Sequence, residues 1–597
     1  MQKSLSSREL NIKFEKTASI QKVLTVSLIA LVATIVNYKI ATQGVIFETP
    51  DLHIHLKWLQ HFYGHLAEGI AYPRWLTDLN YGYGSPTFVF YPPAAVYLGS
   101  ALKALGLSTE RAMATLLLGA SFVAGCGMYL YCASYRRPAA ALIGAIAYIT
   151  APYLIYNSYH RGAVAEVLAT SLLPFFFWLT DRAMKCPQKW IALPLCFTLL
   201  SLTHLPSLLL VTIAWSVYVL ASAWTSRCSF KRLIHLGVSP VLGFGIAAFY
   251  LLPALTEKRL VNLDSMRGVA GGFAAHLIPL NGVGGNLSGH LVSMARYGIA
   301  SIVGCLALTV ILSCFKLARI RQSLVWLLCA GSLGLLMSSV SYSLWAISPT
   351  LQMVQFPWRL MGLLSLVYAG SIGLAADALL TTSFRNHRHW YRLIAGTLLV
   401  VLLGWNLRYS AVLVSRYAGF YAPGDLTAAR AEDRWESRSY DYVALALTAP
   451  DIHQKDVPEY LPLLPDAQQP ASPPLPRQPQ VQLLAGSATV DGLCWQGYQR
   501  LIQVQAETQV QLQLRTYHYP VWQVYLNNQP HTTWVTPDGL IGVTLPPGEH
   551  RIEVRYRATR SMQLGVILSG LSVATLGALL ARQQNLYVNR KSALPDD

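Results

Sequence analysis

Charge is what this chain has least of. Only 12% of its 597 residues are Asp, Glu, Lys or Arg, against roughly 25% in an ordinary soluble protein. That shortage excludes a conventional soluble globular fold. Acids are scarcer than bases, 28 against 46, which leaves a net charge of +18. A basic excess invites a nucleic-acid partner, but no polar segment carries the basic and aromatic cluster such a partner needs, so nucleic acid is excluded. Cysteine is sparse and poorly spaced: eight of nine lie in or beside apolar runs and Cys494 stands alone. No disulfide framework or zinc site follows. Internal repeats, with the paired broken helices of many transporters, are missing too.

Long apolar runs take the place of charge. Segments at 22–42, 88–106, 112–131, 139–156, 164–181, 190–203, 206–225, 234–254, 296–315, 322–340, 357–380, 391–413 and 563–581 approach or reach spanning length. Lys3, Arg8, Lys13, Lys16 and Lys22 precede the first. So long a basic leader before so long an apolar stretch predicts an uncleaved helix. The tail is also basic, with Arg582, Arg590 and Lys591, so both termini are expected in the cytoplasm and the crossings must be even in number. If 88–106 dips in and returns, only Lys103 and Arg111 are stranded outside. If it crosses, and 190–225 is one helix, Arg136, Arg137, Arg182, Lys185 and Lys189 are stranded instead. Tyr91-Pro92-Pro93 also suits a broken passage. The expectation is a polytopic α-helical membrane protein of about 12 crossings plus one re-entrant or broken segment.

Composition divides the chain further. Residues 1–413 form the multi-span domain, and 414–479 are a polar and Pro-rich linker. From 480 to 560 the period becomes two: Val510, Leu512 and Leu514 alternate with Gln511 and Gln513, and Ile541, Val543 and Leu545 repeat the pattern. That predicts an extracytoplasmic β-sandwich with one buried face. It holds no nucleophile, base and acid in combination, so a binding or lid module is expected. Residues 561–597 supply a last transmembrane helix and a cytoplasmic tail.

The chain is organised around Phe47–Pro93. Thr49-Pro50-Asp51 reads as a helix start, with Thr49 as N-cap and Pro50 at the first helical position. Leu52, Leu56, Leu59, Tyr63 and Leu66 recur at helical spacing, which predicts a helix lying flat in the membrane interface. The chosen topology gathers this loop on the outer face with Tyr159-His160-Arg161 and Glu166, His204, the 255–295 loop with Glu257 and Arg259, and Phe356-Pro357-Trp358-Arg359. Ionisable residues near membrane depth are costly and read first as functional. Asp51 is the candidate base for an acceptor hydroxyl, although an Asp in a first helical turn equally well satisfies free N–H groups. His53 and His55 with Asp51 are candidate ligands for a divalent metal, yet only Asp51 and His55 share a helix face. Arg161 and Arg359 suit a phosphate, or pairing with Glu166 or Glu257. His204 before Pro206 reads as a structural histidine or a proton carrier. The Gly-rich 255–295 loop reads as a mobile cover or as disorder.

At these residues the chain resembles a known group. A first span, then an outward loop with an early Asp and a flat helix, is similar to the glycosyltransferase-C superfamily. More specifically the chain resembles bacterial membrane proteins known as 6-pyruvoyl-tetrahydropterin synthase-related. The matching stretches are Tyr72-Pro73-Arg74-Trp75, Gly82-Tyr83-Gly84-Ser85-Pro86, Phe90-Tyr91-Pro92-Pro93, Tyr159-His160-Arg161-Gly162 with Glu166, and Phe356-Pro357-Trp358-Arg359. Glu459-Tyr460-Leu461-Pro462, Tyr519-Pro520 with Trp522, Gly539-Leu540-Ile541 and Gly548-Glu549-His550 extend the match. The superfamily implies inverting transfer of a hexosyl or pentosyl group from a polyprenyl-phosphate sugar to a glycan or lipid-linked acceptor, with Asp51 catalytic. Arg74, His160, Arg161, Glu166 and Arg359 would hold substrate and lipid phosphate, joined by His204, Glu257 and Arg259. The superfamily often carries paired acids in the first outer loop; this chain has Asp51-Leu52-His53. The rival expectation is a non-enzymatic transporter or scaffold for envelope glycans.

Overall fold

The computed structural model describes residues 7–43, 49, 51–134, 136–226, 229–279, 289–314, 320–381, 389–417, 455–465, 469–475 and 478–592. Nine helices among them are long and apolar enough to cross a membrane, and a pair bent by 78° makes a tenth. The protein is a polytopic α-helical membrane protein with a β-rich unit before its final helix.

The chain opens with α1 (Ser7–Val36), the short α2 (Tyr38–Gln43) and α3 (Leu52–Ala67). α4 (Thr87–Phe90) and α5 (Ala94–Ala104) are kept apart by Pro92-Pro93, which removes ladder donors. The bundle then runs through α6 (Thr109–Ala133), α7 (Pro138–Ile149), α8 (Pro152–Tyr156) and α9 (Val164–Lys185). α10 (Leu193–Thr203), α11 (Leu205–Ser226), the bent pair α12 (Phe230–Ile246) and α13 (Ala248–Thr256), α14 (Gly289–Cys314) and α15 (Ile320–Leu336) follow. α16 (Tyr342–Ile347), α17 (Pro349–Gln352), α18 (Met361–Thr381), α19 (His389–Tyr417) and α20 (Arg560–Ser592) complete the helices. α6 packs on α7 and α9, and α18 on α7 and α14, around a core that includes Tyr148, Tyr153, Phe176 and Tyr368.

Length alone gives fewer spans than the sequence pattern. α5 and α10 have 11 residues each and α15 has 17. Eleven helical residues cover about 16 Å, half of a ~30 Å hydrocarbon core. The 3₁₀ turn Pro187–Ala192 runs into α10 and lengthens that segment to about 28 Å. It ends at His204, within electrostatic reach of Glu166 at the start of α9. It begins at the other end of α9, where Lys189 shares a groove with Arg182. The segment therefore runs the length of α9 in the opposite sense. A tally of twelve is reached only when this segment and α15 both count as crossings.

α3 departs from the sequence expectation in two ways. Its N-cap is Asp51 rather than Thr49, and the Asp51 N–H, which has no acceptor within the helix, donates to the Arg161 carbonyl at 3.0 Å; Pro50 lies outside the described residues. Nor does α3 rest flat and half-bare. Lys57, Trp58, Phe62 and His65 are buried along with Leu52, Leu56 and Leu59, so protein covers both sides. The outer cover is the chain at 455–460: Lys57 Nζ donates to the Lys455 carbonyl, and Trp58 Nε1 donates to Asp456 Oδ1 at 2.8 Å. Asp456 Oδ2 also accepts from Ser85 and Thr87.

The β-unit has nine strands: β1 (Val481–Ala485), β2 (Ala488–Gln496), β3 (Gln499–Ala506), β4 (Val510–Tyr517), β5 (Trp522–Leu526), β6 (Gln529–His531), β7 (Trp534–Val535), β8 (Leu540–Leu545) and β9 (Gly548–Tyr556). They form two antiparallel sheets, β1-β4-β8-β7 and β2-β3-β9-β5-β6. Val510, Leu512 and Leu514 face inward while Gln511 is exposed, the alternation of a sheet with one buried face. The sandwich shares its core with the 72–90 loop, joining Trp75, Tyr83 and Phe88 to Leu512, Tyr519 and Val554. Gly84 makes that fit possible: at φ +84°, a Cβ there would lie 2.0 Å from Trp75 Nε1. Glu257 ties the unit to the bundle, accepting from Tyr519 at 3.0 Å, Thr559 at 2.5 Å and Ser561. The 255–295 loop is not an open cover where it is described. Asn262 N–H donates to the Leu461 carbonyl and Ile278 N–H to Met337; residues 280–288 lie outside the described residues.

Candidate functional site

Three segments far apart in sequence, carrying Asp51, Arg161 with Glu166, and Arg359, converge on one buried ionic chain. α8 runs into a wide π-type turn, Asn157–Arg161, closed by Gly162 in the left-handed region at φ +65°. The turn swings Arg161 inward, between the start of α3 and the start of α9. Arg161 Nη2 donates to Asp51 Oδ2 at 2.9 Å, and Nη1 donates to Glu166 Oε2 at 2.6 Å and Asn157 Oδ1 at 3.1 Å. Glu166 sits in the first turn of α9, and its other oxygen accepts from Tyr153. Arg359, on the 3₁₀ turn Pro357–Leu360, brings Nε within 3.3 Å of Glu166 Oε2 and donates from Nη1 to the Val354 carbonyl. Two guanidiniums thus alternate with two carboxylates in a chain of three ion pairs.

Burial is graded along it. The Glu166, Arg359 and Arg161 side chains are 2%, 7% and 9% exposed, whereas Asp51 is 35% exposed. The interior charges are committed to one another, and the accessible end is a carboxylate with one oxygen held by Arg161. Aromatic faces line the rest: Trp358 lies 5.0 Å from the Arg161 guanidinium and Phe356 5.0 Å from that of Arg359. Tyr91 joins from the broken α4–α5 passage, its ring 5.8 Å from His55 and 4.5 Å from Trp58.

Other sequence candidates fall outside this chain of ions. Arg74 Nη2 donates to the Phe249 carbonyl at 2.9 Å and its guanidinium stacks on Tyr72, beside the sandwich. Glu257 is the staple to Tyr519, Thr559 and Ser561, and Arg259 is exposed. His160 packs on Tyr156 one turn earlier. His204 is buried, bonded to Ser207 at 2.8 Å and within reach of Glu166. Among the described residues no three His, Cys, Asp or Glu side chains gather as metal ligands. Asp51, His53 and His55 therefore do not form a three-ligand site in this arrangement, and no step is derived through a metal. Tyr153 and Asn157 escaped the sequence reading, although Tyr153, Asn157 and Arg161 recur every four residues, the spacing of one helix face.

Two measurable consequences follow from the packing at Asp51. A Cβ on Gly162 would lie 2.4 Å from Thr49 Oγ1 and 2.5 Å from Leu52 Cβ. Gly162→Ala is therefore expected to push α3 away from the Arg161 turn, with about 1–3 kcal/mol of backbone strain besides. A lowered melting temperature in detergent checks it; an unchanged one would mean the turn is not this close. His55 is buried, and that burial holds its imidazole down to about 4, against 6.5 in the open, with Asp51 opposing and His53 and Arg161 reinforcing. The unfolded chain takes up this proton below about pH 6.5, whereas the folded one waits until about pH 4. Stability is thus complete above pH 6.5 and drains away on acidification to about pH 4, by at most about 1.4 kcal/mol per pH unit. His53 is shifted the same way by burial. Melting temperatures at about pH 7 and pH 5 should separate wild type from His55→Gln, the variant losing less.

The profile of a family described as "6-pyruvoyl-tetrahydropterin synthase related domain; membrane protein" matches residues 88–403. No curated protein matches the sequence. Among solved structures, the chain is similar to arabinofuranosyltransferase AftD from Mycobacteria at 12% identity and a TM-score of 0.38, covering 64% of this chain and 27% of that one. The chain spans little more than a quarter of AftD's length. It is similar to ArnT from Cupriavidus metallidurans bound to undecaprenyl phosphate at 12% identity and a TM-score of 0.38, covering 66% of this chain and 72% of that one. Likenesses of this size assign no activity to the chain.

Proposed function

This chain belongs to the family of 6-pyruvoyl-tetrahydropterin synthase-related membrane proteins, and from its ionic site we propose that it transfers a sugar from a polyprenyl-phosphate carrier to a hydroxyl of an envelope glycan or lipid-linked acceptor. One observation carries the reading: the most exposed member of the Asp51–Arg161–Glu166–Arg359 chain is a carboxylate of which only one oxygen is held by a side chain among the described residues. Asp51 Oδ1 takes the proton of the acceptor hydroxyl while its oxygen forms a bond to the anomeric carbon. The bond from that carbon to the phosphate oxygen breaks, and polyprenyl phosphate leaves with the electron pair. A single displacement inverts the anomeric centre. Arg161 positions Asp51. Arg359, whose Nη1 is held by the Val354 carbonyl, donates from its guanidinium to the leaving phosphate.

The site lies at the outer face of a bacterial plasma membrane in this reading, with both termini cytoplasmic and the sandwich outside. Twelve crossings, an even number, suit that orientation, and the basic Arg182 and Lys189 then fall on the cytoplasmic side. The test is to supply purified protein with labelled polyprenyl-phosphate sugars and lipid-linked acceptors. Labelled acceptor and free polyprenyl phosphate are expected in equal amounts. Donor that stays intact yet changes leaflet would identify a transporter instead.

A further inference from the structure

The far end of α9 carries a second feature that the ionic site does not use. Sixteen residues beyond Glu166, about 24 Å along the helix, Arg182 and Lys189 line two separate grooves. One, of about 370 Å³, runs between α6 and α9 past Leu130, Ala133 and Trp178, with Lys185 at its mouth. The other, of about 380 Å³, runs between α9, α10 and α20 past Leu179, Leu195, Leu576 and Leu580. Among the described residues no carboxylate lines either groove. The Arg182 guanidinium lies 4.7 Å over the Trp178 ring, and Trp178 Nε1 is fixed by Ser134 Oγ at 2.9 Å. Neither Arg182 nor Lys189 makes an ion pair among the described residues.

We propose that this junction binds one anionic phospholipid, its phosphate between Arg182 and Lys189 and one acyl chain in each groove. Two cations without an ion-pair partner among the described residues, at the meeting point of two apolar channels, match a molecule with one charged head and two hydrocarbon tails. A free phosphate would use the cations and leave the grooves empty. A single-chain carrier would fill only one. A headgroup with its own ammonium would set a positive charge against Arg182, Lys185 and Lys189, so phosphatidylglycerol is favoured over phosphatidylethanolamine. The α20 wall adds a consequence, since Leu576 and Leu580 belong to the helix that follows the sandwich. The lipid would brace the last helix against α9.

The experiment uses full-length protein, delipidated in detergent, with melting temperature and native mass spectrometry as readouts. Phosphatidylglycerol is expected to raise the melting temperature and remain bound, while phosphatidylcholine and inorganic phosphate do neither. Near a membrane surface each Lys or Arg contributes enough that Arg182→Gln with Lys189→Gln should weaken lipid binding about thirty-fold. Leu580→Trp keeps the cations, fills one groove, and should also weaken it. The proposal is overturned if the double variant retains lipid as wild type does, or if inorganic phosphate alone reproduces the stabilisation.

Discussion

Asp51→Asn is expected to slow sugar transfer by about 10²–10⁴-fold, the usual contribution of a positioned general base. At 1.36 kcal/mol per tenfold this is about 3–5 kcal/mol of barrier. The amide oxygen of Asn can still accept from Arg161 Nη2, so the substitution removes the base while sparing its anchor. The loss should therefore fall on kcat, with donor KM and melting temperature close to wild type. Transfer that survives undiminished would take Asp51 out of the reaction and leave it as a helix cap. Coincident loss of folding would make the result one of stability.

Glu166→Gln is expected to lower folding stability by about 3–5 kcal/mol, because removing one partner from a buried ion pair strands the other charge. Here two guanidiniums are affected. Arg161 retains Asp51, but Arg359 is left, among the described residues, with the Val354 carbonyl and the Phe356 ring and no anionic partner. The effect should appear as a large fall in melting temperature by fluorescence-detected gel filtration. Adding Arg359→Met to Glu166→Gln should recover part of it, since an apolar group of similar volume relieves the stranded cation. No recovery would place the cost at Tyr153 and Arg161 instead. The contrast with Asp51→Asn separates the half-exposed end of the ion chain from its interior.

The ionic site was legible because each contributing segment sets a polar residue in otherwise apolar surroundings. Arg161, Glu166 and Arg359 could each be read as anomalies, and their meeting follows once a topology gathers them. The same reasoning overreached at Arg74, Glu257 and Arg259. An ionisable group at a bundle's rim reads alike whether it meets substrate or a second domain, and Glu257 meets Tyr519, some 260 positions away. The start of α3 was misplaced for a related reason. Thr-Pro-Asp is a sound local capping signal, yet the helix starts two residues later, where the Asp51 N–H meets the Arg161 carbonyl instead of a capping side chain. Span length was obscured by α10, which reaches across only with its 3₁₀ lead-in.

Asp456 and Glu257 fasten the sandwich and the chain leading into it at two separate places. One bonds Trp58, Ser85 and Thr87; the other bonds Tyr519 and the lead-in to α20. If Asp51 serves a long-chain donor, as proposed, these two fastenings favour entry from the lipid side, between helices, over a hinged opening above.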